Sequence, residues 1–467
     1  MMEYFKEMGS KFYSDKNLYF LFSIWLLTFF LGSWIGSYSL GFLTIYPNLI
    51  VGLFFIPLIL LKFRSLLKVY KLFIFFLALF LGYSIFWIVK NGANYFALFE
   101  LRSHIFYLNT FLIIITTYSS FVVKDVFKKA LLSSIWMWFW FIVIIGFVEH
   151  FVDIHILNDF YSVSESLFIF GNPNDYILNC LIILFILFFI DNKLVKRFWE
   201  QVSLLILLFI LSVYCLTRMS ELILILLFFF ILIKRIISKK QNDSLLDFEI
   251  LKINNFVQFL KDKRYYILFF TISLGIISTN KLVIGKEKKV IDLSLYFRKE
   301  QAKLPSDIKV VETPVLLNNG SNIEKHQSVL IIGDQSLSIR LSLILNGLFL
   351  FKSNPVLGVG PGQFQVQNSL KNVPYDIGTN CSPHNYFIEL ISNYALLGIS
   401  FLIYLFYLFF NLFKFKSETS YWLKLTFIMF FMVSILPSAF IYQPMNWLFM
   451  SLWILYSQIE INLKSVR

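Results

Sequence analysis

The sequence predicts an all-α polytopic membrane protein with about 12 transmembrane helices and one large loop on the outer side of the membrane. Three observations lead to this fold class: an apolar composition, many apolar runs of membrane-spanning length, and basic residues that flank those runs. Of the 467 residues, 58% are hydrophobic and only 15% are charged, whereas an average soluble domain has roughly 25% charged residues. A soluble fold cannot hide this much apolar surface, but lipid can solvate it.

The spans are predicted from apolar runs of about 18 or more residues, the length that a helix needs to cross a bilayer. The first run follows Lys6, Lys11 and Lys16. We interpret it as a retained helix, because it is too long for a signal peptide and lacks a small-residue cleavage site. The sixth and seventh runs are short. The predicted spans are 18–36, 41–61, 69–89, 104–123, 130–149, 176–191, 201–217, 219–237, 265–284, 386–413, 421–441 and 445–460.

The basic residues predict how these spans are oriented. If the N-terminus is cytoplasmic, 26 of the 41 Lys and Arg residues fall in cytoplasmic segments, and only Lys90, Arg102 and Arg218 fall in short outer loops. Lys and Arg concentrate in the cytoplasmic loops of membrane proteins. We therefore predict that both termini are cytoplasmic.

The predicted organisation has three parts. Residues 1–284 carry transmembrane helices 1–9, residues 285–385 form the large outer loop, and residues 386–467 carry helices 10–12. Within the loop, residues 286–328 are polar and rich in Lys. The stretch Ser336 to Phe351 predicts an amphipathic helix at the outer membrane–water interface.

Several classes of function are excluded by what the sequence lacks. The net charge of +13 is explained by basic residues that flank the spans, so we predict no nucleic-acid partner and membrane lipids as the surroundings. There is no GxxxxGK[ST] motif, no HExxH motif and no Cys or His cluster. The three Cys residues include no CxxC pair. We therefore predict no metal site and no cofactor.

Two arginines are candidates for binding an anion. Arg218 lies between two apolar spans at their outer ends, against the positive-inside trend. Arg340 interrupts the amphipathic stretch. A guanidinium stays charged and suits phosphate bidentately, so both could clamp an anionic substrate. The alternatives are a snorkelling Arg or a partner for Glu221 in the first case, and a charge on the wet face of an interfacial helix in the second.

His384 is the candidate proton acceptor. It follows Pro383, which fits the first turn of a helix, so His384 is expected at the outer end of the next span. An imidazole there can take a proton near neutral pH. The alternative is a His that caps the helix or is hydrogen-bonded at the interface. We do not predict that Cys381 is a nucleophile activated by His384, because no third residue that would orient the pair is evident.

Other short patterns lie near the same face. A Gly/Pro-rich segment from Asn354 to Phe364 has Gly where the backbone bends tightly or approaches something closely. It is not a GxGxxG motif after a strand, so it does not indicate a dinucleotide site. Glu100, Arg102 and His104 form a charged cluster near an outer helix end. Arg102 is a candidate third anion ligand, and a local ion pair with Glu100 is the alternative.

Taken in chain order, these residues resemble the O-antigen ligase and polymerase superfamily of bacterial envelopes. The resemblance covers about 170 to 410, while residues 1–165 match only in hydropathy. Two departures, Thr217 where the family often has Ser and Asn393–Tyr394–Ala395 where it has a Glu/Gly pattern, concern the acceptor more than the reaction type. The matching elements are Gly171–Asn172–Pro173–Asn174, Thr217–Arg218, Arg340, Pro355, Gly358, Gly360, Phe364, His384–Asn385–Tyr386 and Leu396–Leu397–Gly398.

The resemblance implies a metal-independent glycosyltransferase with the architecture of the large membrane (GT-C-like) class and a large periplasmic loop. It implies a bacterial inner-membrane location, an active site that faces the periplasm, and an undecaprenyl-pyrophosphate-linked glycan as donor. The acceptor is a lipid A-core sugar for a ligase, or another lipid-linked glycan for a polymerase. By resemblance, Arg218 and Arg340 bind the donor pyrophosphate and His384 acts on the acceptor hydroxyl. Asn174, Gly360 and Asn385 are the matching substrate-binding positions.

Three other functions stay open. A polymerase differs from a ligase mainly in its acceptor, and the ligase is favoured by the segment from Pro355 to Phe364 and by the pair His384–Asn385. A flippase for lipid-linked sugars needs a polar path across the bilayer, whereas Glu149, His150, Arg218 and His384 gather near one face. A structural or sensor membrane protein is the third alternative.

Overall fold

The computed structural model of the protein describes most of the helical segments. The described part of the chain is mostly helical, with short two-stranded hairpins between the helices. It consists of residues 14–32, 38–40, 43–45, 47–152, 173–191, 194, 198–214, 218–242, 283–284, 289–290, 313–315, 325–327, 335–375, 383, 385–434 and 444–465.

The helices follow the apolar runs, because an apolar chain in lipid must satisfy its own backbone hydrogen bonds. Polar side chains begin several of them: Asn94 and Ser417 each accept a hydrogen bond from an amide of the first turn. In chain order the helices are α1 Asp15–Gly32, α2 Pro47–Leu53, α3 Ile56–Asn91, α4 Tyr95–Ser120, α5 Lys124–Val152, α6 Pro173–Ile190, α7 Phe198–Tyr214, α8 Arg218–Asn242, α9 Gln335–Ser353, α10 Gln363–Ser369, α11 Tyr386–Tyr394, α12 Leu396–Leu412, α13 Glu418–Val433 and α14 Pro444–Ser465.

The strands pair only with their neighbours in sequence. Each pair is antiparallel: β1 with β2, β3 with β4, and β5 with β6. In chain order the strands are β1 Tyr38–Leu40, β2 Leu43–Ile45, β3 Val283–Ile284, β4 Lys289–Val290, β5 Thr313–Val315 and β6 Lys325–Gln327.

Three helical segments of the described chain are long and apolar enough to cross a membrane. They are Ile56–Asn91, Tyr95–Ser120 and Lys124–Ile144. Shorter apolar helices cover Tyr176–Ile190, Phe198–Ser212 and Leu396–Leu412. The composition and length of these helices agree with a membrane protein.

The region predicted as the second and third spans is built differently from the prediction. The run 41–61 contains β2 and α2, and α3 already begins at Ile56. α3 then continues through the basic stretch that was predicted to be a loop, with one non-helical residue at Tyr70 (φ −113°, ψ 20°). Lys and Arg are good helix formers, and Arg64, Lys68 and Lys71 are exposed. Charge therefore did not end the helix.

The late part of the chain shows one confirmed helix and one unexpected break. A helix over the predicted stretch Ser336 to Phe351 is confirmed as α9, while its amphipathic character and its place at a membrane interface stay predictions. The run 386–413 is divided at Ala395, whose backbone adopts φ 43° and ψ −114°. Most of the predicted span 265–284 lies outside the described residues, and its last two form β3.

The chain divides into two compact units. One comprises 1–141, 182–191 and 305–467, and the other comprises 142–181 and 192–304. In the second unit, α7 packs against α8, and the Arg235 guanidinium lies 4.2 Å from the ring centre of Phe198.

The core of the first unit is largely aromatic. α3 packs along α4, and both contact α12 or α14. The ring centres of Phe73 on α3 and Phe111 on α4 are 4.4 Å apart. A set called here the aromatic core joins α12, α13 and α14, where the Phe427 ring lies 4.9 Å from Phe409 and 4.5 Å from Trp453.

Candidate functional site

The segment between α9 and α10, residues 354–362, is called here the glycine loop. It ties the end of α9 to the end of α11. The amide of Val359 donates to the Ser392 carbonyl at 2.9 Å, and the amide of Gly360 donates to the Asn393 carbonyl at 3.1 Å. Earlier along both helices, a Cβ on Gly347 would lie 2.1 Å from Ile388 Cγ2. Because the contacts advance together along α9 and α11, the two helices run in the same direction.

Three glycines let this loop approach its neighbours. Gly358, Gly360 and Gly362 have φ of 76°, 105° and 67°, in the region that side chains disfavour. A Cβ on Gly358 would lie 2.4 Å from the Asn393 carbonyl oxygen, and one on Gly360 would lie 2.1 Å from Trp87 Nε1. The glycine motif found in the sequence therefore serves close packing of backbone against α11 and α3.

Asn393 connects three elements of the candidate site. Its amide nitrogen is 3.3 and 3.4 Å from the two carboxylate oxygens of Glu100 on α4. Its side-chain oxygen accepts from the amide of Phe364 on α10 at 3.3 Å, and its carbonyl accepts from Gly360. Asn393 and Glu100 are fully buried, and a buried carboxylate needs such donors because burial removes water from it.

A second polar contact joins α4 to α11 one turn further along. His104 Nε2 and the Tyr394 hydroxyl are 2.5 Å apart, and both side chains are buried. Glu100 and His104 are four residues apart on α4, so they share one helix face. The Tyr83 hydroxyl of α3 donates to the Leu357 carbonyl at 2.7 Å. Polar contacts thus fix α11 and the glycine loop against α3 and α4.

Two of the residues predicted from sequence lie near the beginning of α9 and α11. Arg340 is half-buried in α9. Asn385 caps α11, and its side-chain oxygen accepts from the amides of Phe387 at 3.0 Å and Ile388 at 3.2 Å. Both precede the contact between Gly347 and Ile388, so they lie on the same side of it. His384, the residue before this cap, is outside the described residues.

The remaining predicted residues lie on other helices. The Arg102 guanidinium carbon lies 4.2 Å from the ring centre of Phe99 on the same helix. Asn174 lies in the first turn of α6 and Arg218 begins α8, both in the second unit. The side chains of Asn174 and Arg218 are outside the described residues. Of the predicted residues that the structure describes, Arg340 and Asn385 therefore lie near the beginnings of α9 and α11, whereas Gly360 lies beside Asn393 at the end of α11.

The polar core of the site was only partly found from the sequence. In the sequence, Glu100 and His104 belong to a charged cluster in which Arg102 is the predicted ligand. Asn393 and Tyr394 stand out there only as a departure from a family pattern. The available signal was an ionisable pair four residues apart on an apolar helix, since such residues in a membrane helix are usually paired or functional. Among the described residues, no group of three His, Cys, Asp or Glu side chains is placed to hold a metal ion.

No protein-family model matches this chain, and no curated protein matches it either.

Proposed function

We propose that this protein is a metal-independent membrane glycosyltransferase of the O-antigen ligase type. It transfers a glycan from an undecaprenyl-pyrophosphate carrier to a sugar hydroxyl of lipid A-core. The observation that carries the proposal is the order of the short motifs from Gly171 to Gly398. The packing of α9, the glycine loop and α11 on one another supports it, because these elements carry the later motifs.

The proposed topology is multi-pass in the bacterial inner membrane, with the spans taken from the apolar runs of the sequence apart from 41–61, which the structure divides between β2, α2 and the start of α3. Both termini are cytoplasmic, and the loop 285–385 and the active site face the periplasm. The three candidate spans and the bias of Lys and Arg towards one side support this topology. The donor lipid then stays in the bilayer while its headgroup reaches the site.

In the proposed reaction, the bond between the donor sugar carbon and the pyrophosphate oxygen breaks. The pyrophosphate leaves with the bonding electron pair, so negative charge builds on it. Arg218 and Arg340 stabilise that charge, an effect of about 3 kcal/mol for a well-placed group in a partly dry site. The acceptor hydroxyl attacks the same carbon and forms the new glycosidic bond, and His384 takes the hydroxyl proton.

The arrangement of α9 and α11 supports a shared site for two of these groups. Arg340 and the capped end of α11 lie on the same side of the Gly347–Ile388 contact. His384 directly precedes the cap residue Asn385 in sequence. An imidazole at that helix end would therefore belong to the same face as the Arg340 guanidinium.

A polymerase that joins lipid-linked repeat units is the second candidate. It is favoured by the sequence at the end of α11, where Asn393 and Tyr394 replace the expected family pattern. Both side chains contact α4, so this departure changes the surroundings of α11 and with them the choice of acceptor.

The proposal is tested by glycan transfer with purified full-length protein and a lipid-linked donor. The variants are His384→Ala and Arg218→Ala, and the control is Gly82→Ala, where an added Cβ has no neighbour within 4 Å. We expect His384→Ala to lower the rate by about 10²–10⁴-fold, with no change in the control.

Unchanged transfer in both site variants would reject the assigned roles. Movement of the donor across liposomes without a new glycosidic bond would instead favour the flippase. Lipid A-core and lipid-linked repeat units, offered as alternative acceptors, separate the ligase from the polymerase.

A further inference from the structure

A cleft of about 530 Å³ lies between the C-terminal end of α3 and the glycine loop. Its volume falls within the range of small-ligand sites, about 300–1,000 Å³. One wall is aromatic and comes from successive turns of α3, and the other is rich in side-chain amides. The residues that the argument uses are Tyr83, Trp87, Lys90, Asn354, Gln367 and Asn372.

The walls of the cleft are held in place by specific contacts. The indole of Trp87 packs against Gly360, whose missing side chain leaves room for it. Tyr83 holds the glycine loop through its hydrogen bond to the Leu357 carbonyl. The Asn372 amide donates to Gln367 Oε1 at 3.1 Å. Among the described residues, Gln367 Nε2 and Asn372 Oδ1 have no hydrogen-bond partner, so one donor and one acceptor are available to a ligand.

The lining combines the two kinds of group that recognise a sugar. The C–H faces of a sugar ring are apolar and stack on aromatic rings, while its hydroxyls both donate and accept hydrogen bonds. Trp87 offers a large aromatic surface, and side-chain amides offer donors and acceptors together. Among the described residues that line the cleft none is Asp or Glu, whereas Lys90 is one of them. An acidic sugar is therefore favoured over a neutral one.

We infer that this cleft binds an acidic saccharide, with Trp87 against a sugar ring, the amides of Gln367 and Asn372 on its hydroxyls, and Lys90 near its carboxylate. The inference rests on the proposed function for the natural ligand, which is then a sugar unit of the transferred or receiving glycan. The binding itself requires neither the lipid-linked donor nor His384.

The test measures binding of two tetrasaccharides, tetragalacturonate and maltotetraose, to the purified full-length protein by calorimetric titration without donor. We expect tetragalacturonate to bind more tightly than maltotetraose. Trp87→Ala and Gln367→Leu should each weaken tetragalacturonate binding by about tenfold or more. Lys90→Gln should remove the preference for the acidic ligand. Trp140→Ala, at a Trp on α5 that is 44% exposed and does not line the cleft, is the control and should bind as wild type does.

Three outcomes would overturn the inference: neither saccharide binds, binding is unchanged in both Trp87→Ala and Gln367→Leu, or phosphatidylglycerol displaces tetragalacturonate, which would indicate a lipid-headgroup site. A preference that persists in Lys90→Gln would overturn the role of Lys90. Size-exclusion chromatography identifies a variant that has failed to fold, and the remaining variant then decides.

Repeating the titration with His384→Ala separates this inference from the proposed function. If tetragalacturonate binds but neither wild type nor any variant transfers glycan, the proposed function is rejected and the saccharide site stands. Transfer that depends on His384, with no saccharide bound in the cleft, would remove the inference alone.

Discussion

The region around the glycine loop and the aromatic core lie in the same compact unit, yet they are held together in different ways. Around the glycine loop, position depends on single atoms: positive φ at Gly358 and Gly360, and the hydrogen bonds of Asn393 to Glu100 and Phe364. In the aromatic core, the Phe427 ring contacts several other rings at centre distances near 5 Å. No one partner is indispensable there.

The difference shows which region of the fold depends on exact atomic positions. Apolar packing tolerates volume-conserving exchange, while a close backbone approach or a buried carboxylate does not. A region whose positions are fixed by individual hydrogen bonds and close contacts is suited to hold reacting groups, because catalysis needs them within narrow limits of distance and angle. Substitutions of similar size should therefore have unequal effects in the two regions.

The largest effect is expected from Gly358→Ala. The new Cβ would lie 2.4 Å from the Asn393 carbonyl oxygen, and φ is 76°. Backbone strain and overpacking together should lower the free energy of unfolding by about 3 kcal/mol or more. The control Gly82→Ala, in the middle of α3, should be neutral or stabilising by up to about 1 kcal/mol. Thermal unfolding of the purified protein measures both, and equal midpoints would refute the close approach.

Asn393→Leu should have the next largest effect. It removes the amide that donates to Glu100 and the oxygen that accepts from Phe364. Leaving the fully buried Glu100 carboxyl and the Phe364 amide without these partners should lower the free energy of unfolding by about 2–3 kcal/mol. Asn411→Leu is the control, since among the described residues the Asn411 side chain bonds only to Tyr407 of its own helix and to Lys414. Denaturant unfolding of the two variants should show a larger loss of stability for Asn393→Leu. An equal loss of stability in both would contradict a special role for Asn393.

The aromatic core should respond least. Phe427→Leu keeps an apolar side chain at a buried position with many ring neighbours, so it should lower stability by about 1–2 kcal/mol. The same change at Phe410, which is 63% exposed, should stay within about 0.5 kcal/mol. If Phe427→Leu proves more destabilising than Asn393→Leu, the contrast between the two regions fails.

Hydropathy predicted most of the helices because it reports which solvent a segment prefers. It does not report where the backbone changes direction inside an apolar segment. Ala395, which separates α11 from α12, looks like any other small residue in that run. The hairpin β1–β2 lies at the edge of a run that was predicted as one helix. Basic residues predicted a loop before Tyr70, but their side chains reach solvent from a continuous helix.

The candidate site was predictable only where its signals are local. The glycine motif was visible because glycine adopts positive φ more readily than any other residue, whereas the helix predicted to begin at Pro383 begins at Tyr386, after the cap Asn385. The pairs Glu100–Asn393 and His104–Tyr394 join residues that are 293 and 290 positions apart. A contact of that range leaves no periodic pattern in one sequence. It depends on the packing of α4 against the end of α11.

Cross-linking tests most directly whether the proposed catalytic groups share one pocket on the periplasmic side. In a background with Cys180, Cys215 and Cys381 replaced by Ala, the pairs Arg218→Cys with Arg340→Cys and Arg340→Cys with His384→Cys are treated with a short, membrane-impermeant bismaleimide on intact spheroplasts. We predict that both pairs cross-link from the outside, while the single variant Lys464→Cys reacts only after permeabilisation. Failure of either pair to cross-link, or reaction only in permeabilised membranes, would contradict the proposed site.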